Sequence, residues 1–199
     1  MEATKHPGTK KTDLKRLCLM GLFVALIFLL GQTPLGLIPL GWCNVTLLVI
    51  PVAVGTLYMG LKCGLGLGLA FGMTSFLSAL LKPSVLVGTL MGASPVLAAV
   101  MTFVPRLCVP VVIYFVNKAL EGKCHKASMP VACALGSLTN TVLYLGMMLL
   151  FYTMLGIDNA KVLTAIGATA GGAGPAEAVA AALIAPPIVA AIRKVGRKA

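Results

Sequence analysis

Arg106, Asn140 and Glu177 are polar side chains set among apolar neighbours, where such groups are costly unless they pair, pack or work. Arginine presents a planar fork of donors suited to an anionic group, and a carboxylate accepts hydroxyl or amide protons. The asparagine amide offers both donors and an acceptor. Arg106 and Glu177 could pair with one another, satisfying both charges, or flank a polar ligand; the residues alone leave both readings open. Asn140 suits an interhelical hydrogen bond equally well. Thr74, Ser75 and Ser78 form a small hydroxyl cluster, although such side chains also bond their own helix backbone. Trp42, the single tryptophan, and Asn44 follow the first apolar run and a Pro/Gly-rich turn. Tryptophan is common where a membrane meets water.

Catalytic chemistry finds little support. His6 and His125 lie in charged segments, no GxSxG is present, and Ser75 has no base in view. A hydrolase needs its nucleophile and base within hydrogen-bond reach. No Walker A sequence appears either, so no ATPase of the P-loop type is expected in this chain. The six cysteines contain no CxxC pair, and a reduced thiol in an apolar run behaves as a small hydrophobe. Cys124-His125 with Cys133 is the nearest approach to ligand spacing and lacks a second pair, so neither a metal nor a cofactor is expected.

Small residues form a second pattern. Gly60, Gly64, Gly68 and Gly72 recur every four residues. No strand precedes them as a nucleotide loop would require, and the spacing predicts close helix packing in lipid. Gly21 and Ala25 make a similar pair on the first helix, packing either within the chain or against another subunit. Alanines at 176, 178, 180, 181, 182 and 185 give the last helix a small face. Pro186-Pro187 should bend or loosen its end.

The elements that must hold these residues follow from composition. Of 199 residues, 59% are hydrophobic and 11% charged, with a mean hydropathy of +1.00. A soluble domain has about 25% charged residues, so this chain cannot cover a water-soluble globule. Disordered chains are poor in apolar residues. The bilayer remains. The net charge of +11 is too thinly spread for nucleic acid, and its placement matters more than its sum.

A spanning helix needs about 20 apolar residues. The 45 uncharged residues between Arg16 and Lys62 hold two, separated by the turn at 33–41. A third runs from Cys63 to Leu81, another lies within the 31 uncharged residues after Lys126, and the last covers 176–192. Short cytoplasmic segments are enriched in Lys and Arg, and both termini are basic, which requires an even number of crossings. Six helices with both termini cytoplasmic place 13 of the 16 basic residues inside and leave Lys82, Arg106 and Lys161 outside. The expectation is an all-α integral membrane protein. Residues 1–16 are read as a solvated cytoplasmic tail, 17–192 as one six-helix domain and 193–199 as a basic cytoplasmic tail. The first apolar run is too long for a signal peptide and lacks a convincing cleavage site. Residues 83–103 then form an apolar external loop between helices 3 and 4, with helix 4 starting near Pro105-Arg106. Long apolar loops are unusual unless they cover something. The outer face is elaborate and the inner one plain, as suits capture from outside.

Several ordered motifs resemble the substrate-binding S components of energy-coupling factor (ECF) transporters. They are Ile50-Pro51-Val52-Ala53-Val54-Gly55, Gly60-Leu61-Lys62-Cys63-Gly64 and Phe71-Gly72-Met73-Thr74-Ser75-Phe76. Phe103-Val104-Pro105-Arg106, Gly136-Ser137-Leu138-Thr139-Asn140-Thr141 and Pro175-Ala176-Glu177-Ala178 complete the set. The likeness runs from about Leu17 to Lys194 and is strongest to the pantothenate-type branch. It implies a six-helix membrane protein that binds a small water-soluble vitamin at its outer end. Its partners would be a membrane-embedded T component and two cytoplasmic ATPases. The family's AxxxA docking motif maps onto Gly21 and Ala25, with glycine in place of the first alanine. Gly-Gly-Ala-Gly-Pro stands where the family often has an asparagine before the glutamate of helix 6. Trp42, Asn44, Ser75, Arg106, Thr139, Asn140 and Glu177 form the candidate vitamin site. Pantothenate, an anion with hydroxyls and an amide, suits them chemically. A proton-coupled secondary carrier using Glu177, or a structural membrane protein, are the alternative readings; no half-to-half repeat of the kind carriers show is evident.

Overall fold

A computed structural model describes residues 7–33, 36–39, 44–122, 124, 127–157 and 160–198. In chain order the elements are α1 (Pro7–Gln32), a hairpin of β1 (Leu37–Pro39) and β2 (Asn44–Thr46), α2 (Val49–Met59) and α3 (Leu61–Leu81). They continue with α4 (Val85–Ala93), α5 (Pro95–Glu121), α6 (Ser128–Met154), α7 (Ala160–Ala168), a π-helical turn (Thr169–Ala173) and α8 (Gly174–Lys198). Among the described residues, five helical stretches are long and apolar enough to cross a bilayer: Leu14–Gln32, α3, α5, α6 and Val162–Val195. The protein is a helical membrane bundle, and α3 and α6 fall where the charge-free runs place them.

The second helix is shorter than its uncharged run allows. Part of that run is spent on the antiparallel hairpin, in which Leu37 pairs with Thr46 and Pro39 with Asn44. Only 11 residues remain for α2, about 16 Å of helix against an apolar bilayer core of about 30 Å. α2 instead sits in the middle of the bundle, with nine of its residues buried. Gly60 joins it directly to α3 at φ +90°, a backbone conformation that glycine adopts without a Cβ penalty. Gly60 thus belongs to the turn, and the packing stripe begins at Gly64.

The stripe seats α3 on α5. A Cβ at Gly64 would meet Thr56 and Pro110, and one at Gly72 would meet the Phe103 ring. At Gly68 it would lie 2.7 Å from the Arg106 backbone oxygen, and backbone cannot move aside as a flexible side chain can. Gly68→Val is therefore expected to destabilise the bundle by about 1–3 kcal/mol, as overpacking does. Gly146→Ala on α6, where a Cβ meets nothing within 4 Å, leaves the thermal midpoint in detergent unchanged. Equal midpoints for the two variants would refute the close α3–α5 contact.

Residues 83–103 differ from the expected open loop. Val85–Ala93 is helical, and α5 begins at Pro95 rather than at Pro105. Ser94-Pro95 is the start: proline at a first helical position costs nothing, because that N–H has no intrahelical partner. Pro105 and Pro110 instead lie inside the 27-residue α5, as membrane helices tolerate when their neighbours restore the lost contacts. Arg106 consequently sits well inside a helix and not at its outer end. Glycines 171 and 172 likewise fall in a helical turn, and α8 continues through Pro186 and Pro187 to Lys198.

Two apolar cores flank a polar layer. The larger gathers Ile27, Leu48, Val52, Leu67, Phe71, Val109, Ile113, Ala132 and Ala185. The smaller gathers Ala79, Leu86, Leu90, Ala98, Met101, Met148 and Tyr152. Along α3, α5 and α6, the stretches between these cores carry Thr74 and Ser75, Thr102 and Arg106, and Ser137 and Asn140, all buried. The chain concentrates its buried polarity at one depth, bracketed by hydrophobic packing.

Candidate functional site

Arg106 is the centre of that layer. It is 6% exposed, its guanidinium carbon lying 5.3 Å from the Phe71 ring centroid and 4.5 Å from that of Tyr144. Both rings face a cation favourably. Its Nη1 donates to the Met101 carbonyl at 3.2 Å, and its buried Nε has no partner. Beside it opens a small cavity of about 40 Å³, lined by Ser75, Ser78, Ala79, Val87, Thr102, Arg106 and Tyr144. As it stands it has room only for water-sized guests, so a larger solute needs its wall to give.

Ser75 Oγ, Ser137 Oγ, Asn140 Oδ1 and, further along α5, Asn117 Oδ1 are also buried without hydrogen-bond partners. Native interiors satisfy nearly all such groups, and of these Ser75 lines the same cavity as Arg106. Ser137, Asn140, Thr141 and Tyr144 share one helical face by their spacing of three, four and seven. The Thr139 hydroxyl instead donates to Leu135 O of its own helix at 2.7 Å.

Glu177 lies across from this face and is 7% exposed. Its Oε1 accepts from the Thr46 backbone N–H, and its Oε2 from the Thr141 hydroxyl at 3.2 Å. Arg106 and Glu177 interact through space but form no direct ion pair among the described contacts. Glu177 thereby ties strand β2 to α6 and α8. Trp42 and the side chain of Asn44 lie outside the described residues.

The structure thus brings Ser75 and Arg106 to one cavity, sets Asn140 on the helical face that carries Tyr144, and adds Thr102 and Tyr144 as lining residues. Tyr144 was within reach of sequence reasoning as the residue one turn beyond Asn140. Thr102 and the Thr46 N–H carried no sequence signal, since their roles depend on tertiary position.

Gly21 and Ala25 are both exposed, and a Cβ at Gly21 would meet nothing within 4 Å. Leu22, Leu26 and Leu29 on the same helix are exposed by 62%, 40% and 62%. This face of α1 is open, while Phe23 and Ile27 on the other face pack into the larger core.

The chain is a multi-pass helical membrane bundle with a buried cation facing two aromatic rings beside a small cavity. Residues 15–189 match the family described as ECF transporter, substrate-specific component, and the chain belongs to that family. The protein is accordingly a transport component embedded in the membrane. It is also similar to the pantothenic acid transporter PanT of Lactococcus lactis subsp. cremoris (strain MG1363). The two are 27% identical over 159 residues, covering 72% of this chain and 76% of the relative.

Proposed function

We propose that this chain is the vitamin-binding subunit of an ECF-type importer in a prokaryotic plasma membrane, with pantothenate its favoured ligand. The observation that carries the reading is Arg106: buried, stacked between two rings, with an unpartnered Nε beside a cavity. A carboxylate at that position accepts charge-assisted hydrogen bonds, which are about twice as strong as neutral ones. The hydroxyls and amide of pantothenate then match Ser75, Thr102 and Asn140, which can both donate and accept. Glu177 supports the site by holding β2 and Thr141 in place, and Trp42 and Asn44 complete the candidate set.

The vitamin enters from the external side, the side opposite the basic termini. Release inside falls to a T component and two ATPases, with Gly21 and Ala25 as the docking patch. Support for that patch is its exposure and its small size, which lets another helix approach closely in lipid. Purified chain is to be incubated with a panel of radiolabelled vitamins. Tight retention of pantothenate without ATP is expected; retention of neutral vitamins only would overturn the assignment.

A further inference from the structure

Helix α4 forms part of the wall of the Arg106 cavity through Val87. It has nine residues, shorter than any helix stable alone in water, and its position depends on what holds it. The flanking residues are extended, Ser84 at φ −67° and ψ 160° and Ser94 at φ −157° and ψ 101°. They interrupt the helical path on both sides, as at hinges where a few residues absorb a rotation. Three residues, Leu86, Val87 and Leu90, are buried, while Val85 is 61% exposed. Across from them, Tyr152 of α6 is 2% exposed, and its hydroxyl donates to the Leu86 carbonyl at 2.7 Å. That hydrogen bond joins residues 66 positions apart and adds a directional tie to an otherwise apolar contact.

We infer that α4 is a movable wall of the solute cavity and that the Tyr152 hydroxyl is the clasp that keeps it closed. Apolar packing alone is non-directional, so Leu86, Val87 and Leu90 favour burial without setting the register of α4. The phenol sets it, from a ring seated in the same core as Met148, Phe151, Ala98 and Met101. Releasing the hydroxyl leaves that core intact and frees the wall that carries Val87. Tyr152 is not itself among the residues that line the cavity, so it acts as a positioning residue for access. This inference rests on the cavity being the vitamin site.

Tyr152→Phe removes the hydroxyl and keeps the ring. Net loss of one hydrogen bond is worth about 0.5–1.5 kcal/mol, which raises the open population about two- to tenfold. With purified full-length protein and radiolabelled pantothenate, association and dissociation rates are both expected to rise by that factor, with Kd within about twofold of the original. In ligand-free protein, amide exchange over 85–93 is expected to accelerate by the same factor while that of α3 stays unchanged. Unaltered rates together with unaltered exchange in α4 would overturn the inference. So would faster dissociation with unchanged association, which would place the hydroxyl in the bound site and not at its entrance. Failure of the parent protein to retain any vitamin would instead defeat the functional reading. The exchange arm decides the clasp separately: faster exchange confined to 85–93 supports it, and unchanged exchange removes it.

Discussion

Arg106→Ala is expected to lower the affinity for pantothenate by about two orders of magnitude, because a charged hydrogen bond contributes about 1.5–3 kcal/mol and more than one is lost. The loss for a neutral vitamin should be far smaller. Arg106→Lys keeps the charge but not the planar fork held between Phe71 and Tyr144, so it is expected to recover only part of the binding. The alanine variant should remain folded: it removes a buried charge that lacks a direct ion-pair partner, and such charges are expensive to bury. Equal losses for anionic and neutral ligands would mean that Arg106 supports the bundle and does not read the anion. Equilibrium binding of both ligand types to the three proteins decides the matter.

Gly21→Trp is expected to abolish ATP-driven uptake in vesicles carrying the whole transporter while leaving vitamin binding to the isolated chain within about twofold. Gly21 is exposed and a Cβ there meets nothing within 4 Å, so the new side chain leaves the helix on its open face. Ala25→Trp, on the same exposed stretch of α1, should behave alike. Loss of binding in step with uptake would place the defect in the chain's own fold, and undisturbed uptake would remove the docking patch from α1.

Much of this molecule was legible in the order of its residues, for identifiable reasons. Charge is prohibitively costly in lipid, so the gaps between Lys62 and Lys82 and between Lys126 and Asp158 mark α3 and α6 closely. The four-residue glycine period foretold a packed face, and Gly64, Gly68 and Gly72 indeed seat α3 against its neighbours. Gly60 fits the same period but serves a turn, a distinction carried by φ and invisible to spacing. Arg106, Asn140 and Glu177 stood out because polarity inside an apolar run is rare.

What could not be read was decided by tertiary contact or by local chemistry with two outcomes. Pro105 resembles a helix start, yet neighbouring helices let α5 run through it from Ser94-Pro95. The uncharged run between Arg16 and Lys62 is long enough for α1 and a second full span, but hairpin pairing spends residues that α2 then lacks. Thr139 and Thr141 sit two apart and are equivalent in composition; helical geometry turns Thr141 to Glu177 and leaves Thr139 bonded to its own helix. Glu177 reads as a partner for Arg106 or for a ligand; in the structure its two oxygens also accept from Thr46 and Thr141. Its role depends on a backbone N–H contributed from 131 residues away.

The account's central claim is that this chain alone, without an energy source, recognises an anionic vitamin through Arg106. Equilibrium dialysis of the purified protein against radiolabelled pantothenate, with no ATP and no proton gradient, tests it most directly. Saturable retention of about one vitamin per chain is expected, abolished by unlabelled pantothenate and sharply weakened in Arg106→Ala. Absence of saturable retention, or retention indifferent to Arg106, would contradict it.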